Sequence, residues 1–422
     1  MLHTLTLDHR HLPDRGGYLV RALLELQGTA RTAASRVPLR LSLVIDRSGS
    51  MAGPPLEAAT AAAADLVRRL APEDVVSVVA FDDQVITAVP PHRAGGEAHV
   101  AERILGIVAG GTTNLSGGWL RGRELVSRDR TDGAVHRVLL LTDGHANVGI
   151  TDPVELAALA AESRAKGITT SCVGFGDGYD EALLRAMADA GGGNAFHIER
   201  PDQASLAFGD ELAGLQTLAG QNLSVTIALD DAVTLAHVHH DWPSSDGPDG
   251  RTFELGDLYA REPKRLLVEL FCATAPSPDA RALARMTLRA DVREESGSLV
   301  HQEIVLPVAA TLENAGQEAP VITKEVLLSE AARARAQAAA DVRRGDAAQA
   351  RRALDVMARK LREAPMADEF ADEVLDLAEL SRKFELEEAS ESDARYLQAR
   401  AHNARRGKRI YDAGFMRKRP EE

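Results

Sequence analysis

Only two cysteines, Cys172 and Cys272, occur in 422 residues. Both lie in apolar, strand-like runs, so they read as buried free thiols rather than a disulfide. Aromatic side chains make up 4% of the chain against 45% hydrophobic residues overall, so the cores must be mainly aliphatic. No stretch approaches the ~20 consecutive apolar residues that a membrane-spanning helix needs. The opening segment, Met1 to Arg10, lacks a charged lead followed by an apolar run and does not read as a signal peptide. Positive charge is scarce too. With 49 Lys and Arg against 63 Asp and Glu, the net charge is −14, which argues against a general nucleic-acid binder. The nucleotide-binding pattern Gly-x-x-x-x-Gly-Lys is missing, which excludes self-sufficient ATP hydrolysis. A cytoplasmic protein with no membrane and no nucleic-acid partner is expected.

What is present centres on residues 41–53, Leu-Ser-Leu-Val-Ile-Asp-Arg-Ser-Gly-Ser-Met-Ala-Gly. An apolar run, Leu41 to Ile45, stops at Asp46, and Ser48 and Ser50 follow at alternate positions. Gly49 and Gly53 free the backbone, and Pro54-Pro55 can open a helix. This is the pattern of a buried parallel strand whose carboxyl end spills into a loop of oxygen donors, where open α/β sheets place their ligands. One carboxylate and two hydroxyls suit Mg²⁺ or Mn²⁺ rather than zinc. Two later stretches are built to meet that loop: the glycine turn Gly110-Gly111-Thr112-Thr113-Asn114, and a second apolar strand, Val138 to Leu141, ending in Thr142-Asp143-Gly144.

Asp-x-Ser-x-Ser, then a loop threonine, then a strand-end aspartate resembles the metal-ion-dependent adhesion site of von Willebrand factor type A domains of the cytoplasmic, bacterial type. The resemblance covers residues 38–219. It implies a doubly wound, mainly parallel α/β sheet and a site for Mg²⁺ or Mn²⁺. Ser48 and Ser50 would touch the ion directly, and Asp46 directly or through water. Thr113 and Asp143 would be ligands exchanged between two conformations. Thr113 is preferred to Thr112 because in the family the threonine directly precedes the Asn or Asp, here Asn114. Arg47 and Met51 fall where the family varies or packs.

Outside those residues the period changes. Leu2–Leu7 and Tyr18–Leu26 read as strands with no sheet of their own, and a lone hairpin is marginal in water. Runs at 223–229, 233–238, 252–255, 264–272, 284–292 and 299–308 form an all-β pattern. The simplest solution joins residues 1–37 to 221–312 in one β-sandwich, with the domain at 38–219 inserted in it. Residues 321–422 turn helical, with helices expected over 321–344, 346–363, 366–388 and 390–406, punctuated by Gly345 and Pro365.

His145 near Ser48, Ser50 and Asp143 suggests a hydrolase triad, but the serines sit on a metal-type loop rather than a Gly-x-Ser-x-Gly elbow. His237, His239 and His240 with Asp241 suggest a transition-metal site; an exposed sandwich edge is the preferred reading. The basic C-terminal end, from Arg400 through Arg405, Arg406, Lys408, Arg409, Arg417, Lys418 and Arg419, reads as a solvated end or a contact for an acidic surface. The resemblance therefore implies a binding protein, not an enzyme: an adaptor whose ion takes an Asp or Glu from a protein partner. In related bacterial systems such domains work beside AAA-type ATPases. The alternative is a non-catalytic subunit of an ATPase-linked complex such as a metal chelatase.

Overall fold

A computed structural model describes residues 1–12, 17–29, 37–95, 97–128, 133–176, 178–198, 200, 203–260, 263–273, 281–294, 299–310, 319–385 and 391–405. The expected basic tail lies mostly outside these residues; of it, Arg400 pairs with Asp376 at 3.4 Å.

The chain begins with two strands, β1 (Leu2–Leu12) and β2 (Gly17–Gln27), and then enters an alternating α/β unit. That unit runs β3 (Leu39–Asp46), α1 (Pro54–Arg68), β4 (Val75–Phe81), β5 (Val85–Arg93), α2 (Glu97–Leu105), α3 (Leu115–Arg128), β6 (Val135–Thr142), α4 (Pro153–Ala165), β7 (Ile168–Phe175), α5 (Glu181–Ala190), β8 (Gly192–Ile198) and α6 (Ala204–Gln216). Its six strands are ordered β5-β4-β3-β6-β7-β8, and every pair is parallel except β4–β5. Alternate side chains of β3 serve opposite faces. Leu41, Leu43 and Ile45 join α1, α2 and α6 in one core, while Val44 joins α3, α4 and α5 in the other. Burial on both faces explains why β3, β4, β6 and β7 are buried at every position and read as continuous apolar runs. Pro90 and Pro91 lie in β5, the sheet's edge, where a missing N–H is tolerated. From β3 the chain moves outward through β4 and β5, then returns to the other side of β3 as β6. The paired carboxyl ends of β3 and β6 are thus the switch point of the sheet.

The remaining strands are β9 (Leu218–Leu229), β10 (Val233–Val238), β11 (Ser244–Gly247), β12 (Gly250–Tyr259), β13 (Pro263–Cys272), β14 (Arg281–Arg293) and β15 (Leu299–Ala310). They form two antiparallel sheets, β1-β2-β13-β10 and β11-β12-β9-β14-β15. The amino-terminal strands join the first sheet through β2, which pairs with β13 from Tyr18↔Cys272 to Gln27↔Pro263. Val20, Ala22, Leu24 and Leu26 of β2 meet Val225, Ile227, Phe253 and Leu288 of the other sheet in one core. Leu23 faces the opposite way and packs with Leu267 on Ile322 of α7 (Pro320–Arg343). Covering both faces of β2 makes Tyr18–Leu26 largely apolar, broken only by Arg21 and Glu25, which pair with Glu269 and Arg265 of β13.

Helices α7, α8 (Ala347–Arg362), α9 (Ala371–Glu385) and α10 (Glu391–Arg405) close the chain around a core that includes Leu354, Leu361, Phe370, Leu377, Leu380 and Leu397. Two expected boundaries shift. The last helix of the domain expected to run to residue 219 ends at Gln216, because Leu218 already opens β9, which pairs across β12. The stretch expected to begin a helix at Met366 first makes a 3₁₀ turn at Ala367–Phe370.

The histidine group is corrected as well. His239 and His240 are not on an exposed edge; both are buried between the first sheet and α7. His239 Nε2 lies 3.1 Å from Glu269 Oε1, and His240 Nε2 lies 3.2 Å from Glu325 Oε1. The Leu267 N–H donates to His240 Nδ1 at 3.0 Å, which fixes that ring as the Nε2–H tautomer. His237 Nε2 faces Arg333 at 2.7 Å. Among the described residues no group of three or more His, Cys, Asp or Glu side chains is arranged to hold a metal ion. The histidines are structural partners of α7.

Candidate metal centre at the switch point

Asp46 ends β3 and is fully buried. Its Oδ1 accepts the Ser48 N–H at 2.8 Å, and its Oδ2 accepts the Thr142 hydroxyl. These bonds fold the chain after β3 into a single 3₁₀ turn, Gly49–Met51, with Met51 buried beneath it. The turn brings Ser48 Oγ within 3.2 Å of Ser50 Oγ. Ser50 Oγ in turn donates to Asp143 Oδ1 at 2.7 Å, so β3 and β6 meet side chain to side chain.

Thr113 arrives from a different direction. It is buried, whereas Thr112 is exposed. A Cβ placed on Gly144 would lie 3.4 Å from Thr113 Oγ1 and 3.8 Å from Ser50 Oγ, so both hydroxyls converge on the Asp143–Gly144 corner. The Thr113 carbonyl accepts the N–H groups of Asn147 and Val148 at 3.0 and 3.2 Å, tying its loop to the one after β6. Asn114 caps α3 by accepting the Gly117 N–H at 2.9 Å. That helix lies unusually close to the sheet. A Cβ on Gly118 would fall 2.5 Å from the Phe81 ring, and one on Gly122 would fall 2.4 Å from Val44 Cγ2. The glycines seat α3, and the seat of α3 sets the position of Thr113.

One organising residue was not singled out from sequence. Asp82, buried after β4, accepts the Gly111 N–H at 2.9 Å, the Gln84 N–H at 2.8 Å and the Arg47 guanidinium at 2.9 Å. Its backbone carbonyl accepts the Asn114 N–H at 2.8 Å. The Gly110 N–H donates to the Arg47 carbonyl at 2.7 Å and Gly49 N–H to the Gly111 carbonyl at 2.9 Å. Asp82 and Arg47 thereby staple the glycine turn to the serine loop. Bonds from these donors, Arg47 among them, outweigh burial and hold the Asp82 carboxyl below its ordinary range. Its only sequence signal was an Asp-Asp pair at a strand end.

The electrostatics favour a cation. Burial pushes the Asp46 carboxyl above its ordinary range, against bonds from Thr142 and Ser48, and the charge of Asp143 adds to the rise. Burial raises Asp143 as well, against the bond from Ser50. Two carboxylates and three hydroxyls, crowded and partly desolvated, fit a hard divalent cation that takes oxygen ligands. The same geometry disposes of the triad. Ser50 donates to Asp143, not to a histidine, and the His145 side chain is 64% exposed with Nδ1 3.9 Å from Asp180.

The class of unit is therefore a doubly wound α/β domain with an oxygen-lined site at its switch point. Residues 41–209 match the family model of the von Willebrand factor type A domain, and this part of the chain is such a domain. An uncharacterized protein of Synechocystis sp. is 34% identical over 174 residues, which are 41% of this chain and 40% of that one. Inter-alpha-trypsin inhibitor heavy chain H4 of Bos taurus is 28% identical over 189 residues, 43% of this chain and 21% of its own. The matched part is thus less than half the length of these relatives. Among solved structures, a von Willebrand factor type A protein of Catenulispora acidiphila superposes with a TM-score of 0.72 at 19% identity, over 94% of this chain and 96% of its own. The ArnB paralog VWA2 of Sulfolobus acidocaldarius gives 0.58 at 14% identity, over 96% and 98%. These two likenesses are of fold, and they extend over nearly the whole chain. No described helix is long and apolar enough to cross a membrane.

Proposed function

We propose that this chain is a metal-dependent protein-binding adaptor, with Mg²⁺ or Mn²⁺ held by Asp46, Ser48, Ser50, Thr113 and Asp143. In this reading the domain at 38–219 is carried by a β-sandwich of residues 1–37 and 221–312, followed by the helical region 321–422. The observation that supports it most is the convergence of three hydroxyls and two carboxylates from three loops on one corner. So few protein carboxylates leave the ion electrophilic, and a partner's Asp or Glu supplies the ligand the protein lacks. Val108 and Val148, 68% and 39% exposed, stand on the loops tied to Arg47 and Thr113, so apolar residues beside the partner's carboxylate would find cover. The two cysteines are free and buried, in keeping with a cytoplasmic protein.

Titration of Mg²⁺ and Mn²⁺ by calorimetry into the wild type and the Ser48→Ala, Ser50→Ala double variant tests the site. Equal heats would sink the assignment. Capture of partners in Mg²⁺ and in chelator, read by mass spectrometry, tests the role. Chelator-insensitive capture would move the binding surface elsewhere, and recovery of an AAA-type ATPase would favour the chelatase-like subunit.

A further inference from the structure

The helical region touches the α/β domain along α5. The core-facing side chains of α5 are Leu183, Leu184, Met187 and Ala188. Its other side carries Glu181, Arg185 and Asp189 at four-residue spacing, one stripe along the helix. Glu181 pairs with Arg185 within the helix and with Arg343 of α7 at 3.3 Å. Asp189 pairs with His402 of α10 at 3.4 Å. Seven residues earlier on α10, two turns away on the same face, Arg395 donates to the Gly176 carbonyl at 3.4 Å. Helix α10 therefore reaches the two ends of this stretch, at Gly176 and Asp189, through polar side chains, and α7 reaches Glu181 through Arg343. Together these contacts tie both ends of α5, and the carbonyl just after β7, to the helical region.

The segment that α10 grips is the one that backs the candidate metal corner. A Cβ on Gly178 would lie 3.4 Å from the Asp143 carbonyl oxygen. Asp180, which caps α5 by accepting the Leu183 N–H at 2.9 Å, sits 3.9 Å from the His145 ring. On its far side the segment has little room to yield. The Tyr179 ring packs against Gly174, its hydroxyl bonds His197 Nδ1 at 3.0 Å, and the Gly176 N–H donates to the Ile198 carbonyl at 2.8 Å. A movement of residues 143–145 toward or away from β3 is thus passed to Gly178 and Asp180, and from them to the α5–α10 contact.

We propose that docking of α7 and α10 on α5 is coupled to cation occupancy at the switch point, so that the helical region reports the state of the metal site. This rests on the metal reading above. A cation fixes Asp143 and the corner after it in one position. The Gly178–Asp180 segment then packs against a fixed surface, and the docked form of α10 gains. Coupling is reciprocal, so undocking must weaken the cation in the same ratio.

The test is hydrogen exchange by mass spectrometry on the full chain, in Mg²⁺ and in chelator, beside calorimetric titration of Mg²⁺ alone. Mg²⁺ is expected to slow exchange in α10 and α5 and to leave β14–β15 unchanged as an internal control. In Arg395→Ala, His402→Ala the slowing in α10 is expected to vanish and the Mg²⁺ affinity to fall about fivefold, the lower end of typical coupling. Arg343→Ala, on a partly exposed side chain, gives a milder variant should the double one misfold. Intact Mg²⁺ heats with α10 exchange indifferent to Mg²⁺ would overturn the coupling alone. Absence of Mg²⁺ heat in the wild type would overturn the metal reading and the coupling with it.

Discussion

At the scale of single residues, the five candidate ligands differ in how they are held, and so in what their loss should do. Ser48 is bonded to Asp46 through its N–H and faces Ser50, at the centre of the corner. Thr113 comes from a separate loop that is tied to residues 147–148. Thr113→Ala should weaken capture of a partner more than resting Mg²⁺ binding, whereas Ser48→Ala should weaken both. Parallel calorimetry and pull-down separate the two, and equal loss of both activities in Thr113→Ala would refute the exchange of ligands. Asp82 makes a sharper case. Removing its carboxylate strands the Gly111 and Gln84 N–H groups and takes the carboxylate partner from Arg47. Asp82→Ala should cost about 3 kcal/mol by urea denaturation and lower Mg²⁺ affinity, although Asp82 touches no candidate ligand side chain. Unchanged affinity in a folded Asp82→Ala protein would show that the glycine turn holds Thr113 unaided. The contrast marks what sequence conveys. Asp46, Ser48 and Ser50 are legible because their spacing in a strand-to-loop turn is itself the geometry. Asp82 is not, because its role depends on how closely a turn 28 residues further on approaches it, to Gly110 and beyond.

At the scale of elements, runs with a local apolar pattern are readable, and boundaries set by a distant partner are not. Strand β9 opens at Leu218 because β12 pairs with it as far as Tyr259, and no local signal after α6 announces that partner. Strand β11, Ser244–Gly247, is exposed throughout and carries no apolar alternation to be read. The sheet–α7 junction was misread for the same reason. Its histidines look solvent-facing until Glu269, Glu325 and Arg333 close over them. That junction is expected to be acid-sensitive. The hydrogen bond from His239 is the largest cause holding Glu269 down, at about 2, and the charges of His239 and Arg21 add to it against burial. A carboxyl lowered on folding contributes stability above its unfolded pKa that is lost as pH falls through the folded one. The window here runs from about 4.5 down to about 2. Arg21 pairs with Glu269 at 3.0 Å and with Asp8 at 3.8 Å, while His237 stands edge-on to His239 and faces Arg333 of α7. The wild type should therefore lose stability across this window more steeply than Glu269→Gln, by urea midpoints at pH 5 and 3. Identical slopes would show that other carboxylates govern acid unfolding.

At the scale of the molecule, the α/β domain is joined to the paired sheets by a buried charge cluster. Arg137 of β6 pairs with Asp257 of β12 and lies 3.5 Å from Glu211 of α6, with all three side chains essentially without exposure. Burial works against the guanidinium, but the charges of Asp257 and Glu211 outweigh it and keep Arg137 ionised. Ser171 accepts from Arg137 and donates to Glu211, while Asn194 links Glu211 to Tyr259. Arg164 adds an ion pair to Glu254 at 2.6 Å. None of this was legible, since it requires three distant segments to meet, and each charge alone resembles a surface residue. Removing the guanidinium from this buried cluster takes the counter-charge from the carboxylates of Asp257 and Glu211, so Arg137→Ala should cost about 3–5 kcal/mol. The loss should fall on both units together, because Asp257 belongs to one and Glu211 to the other. The metal corner should be spared. Arg137 and Asp143 lie six residues apart along one strand direction, about 20 Å at the usual rise, and the strand between them is buried throughout. The folded fraction of Arg137→Ala should thus bind Mg²⁺ with wild-type affinity while unfolding at lower urea in a single transition. Two separate transitions would mean that the units fold independently and that the cluster only aligns them.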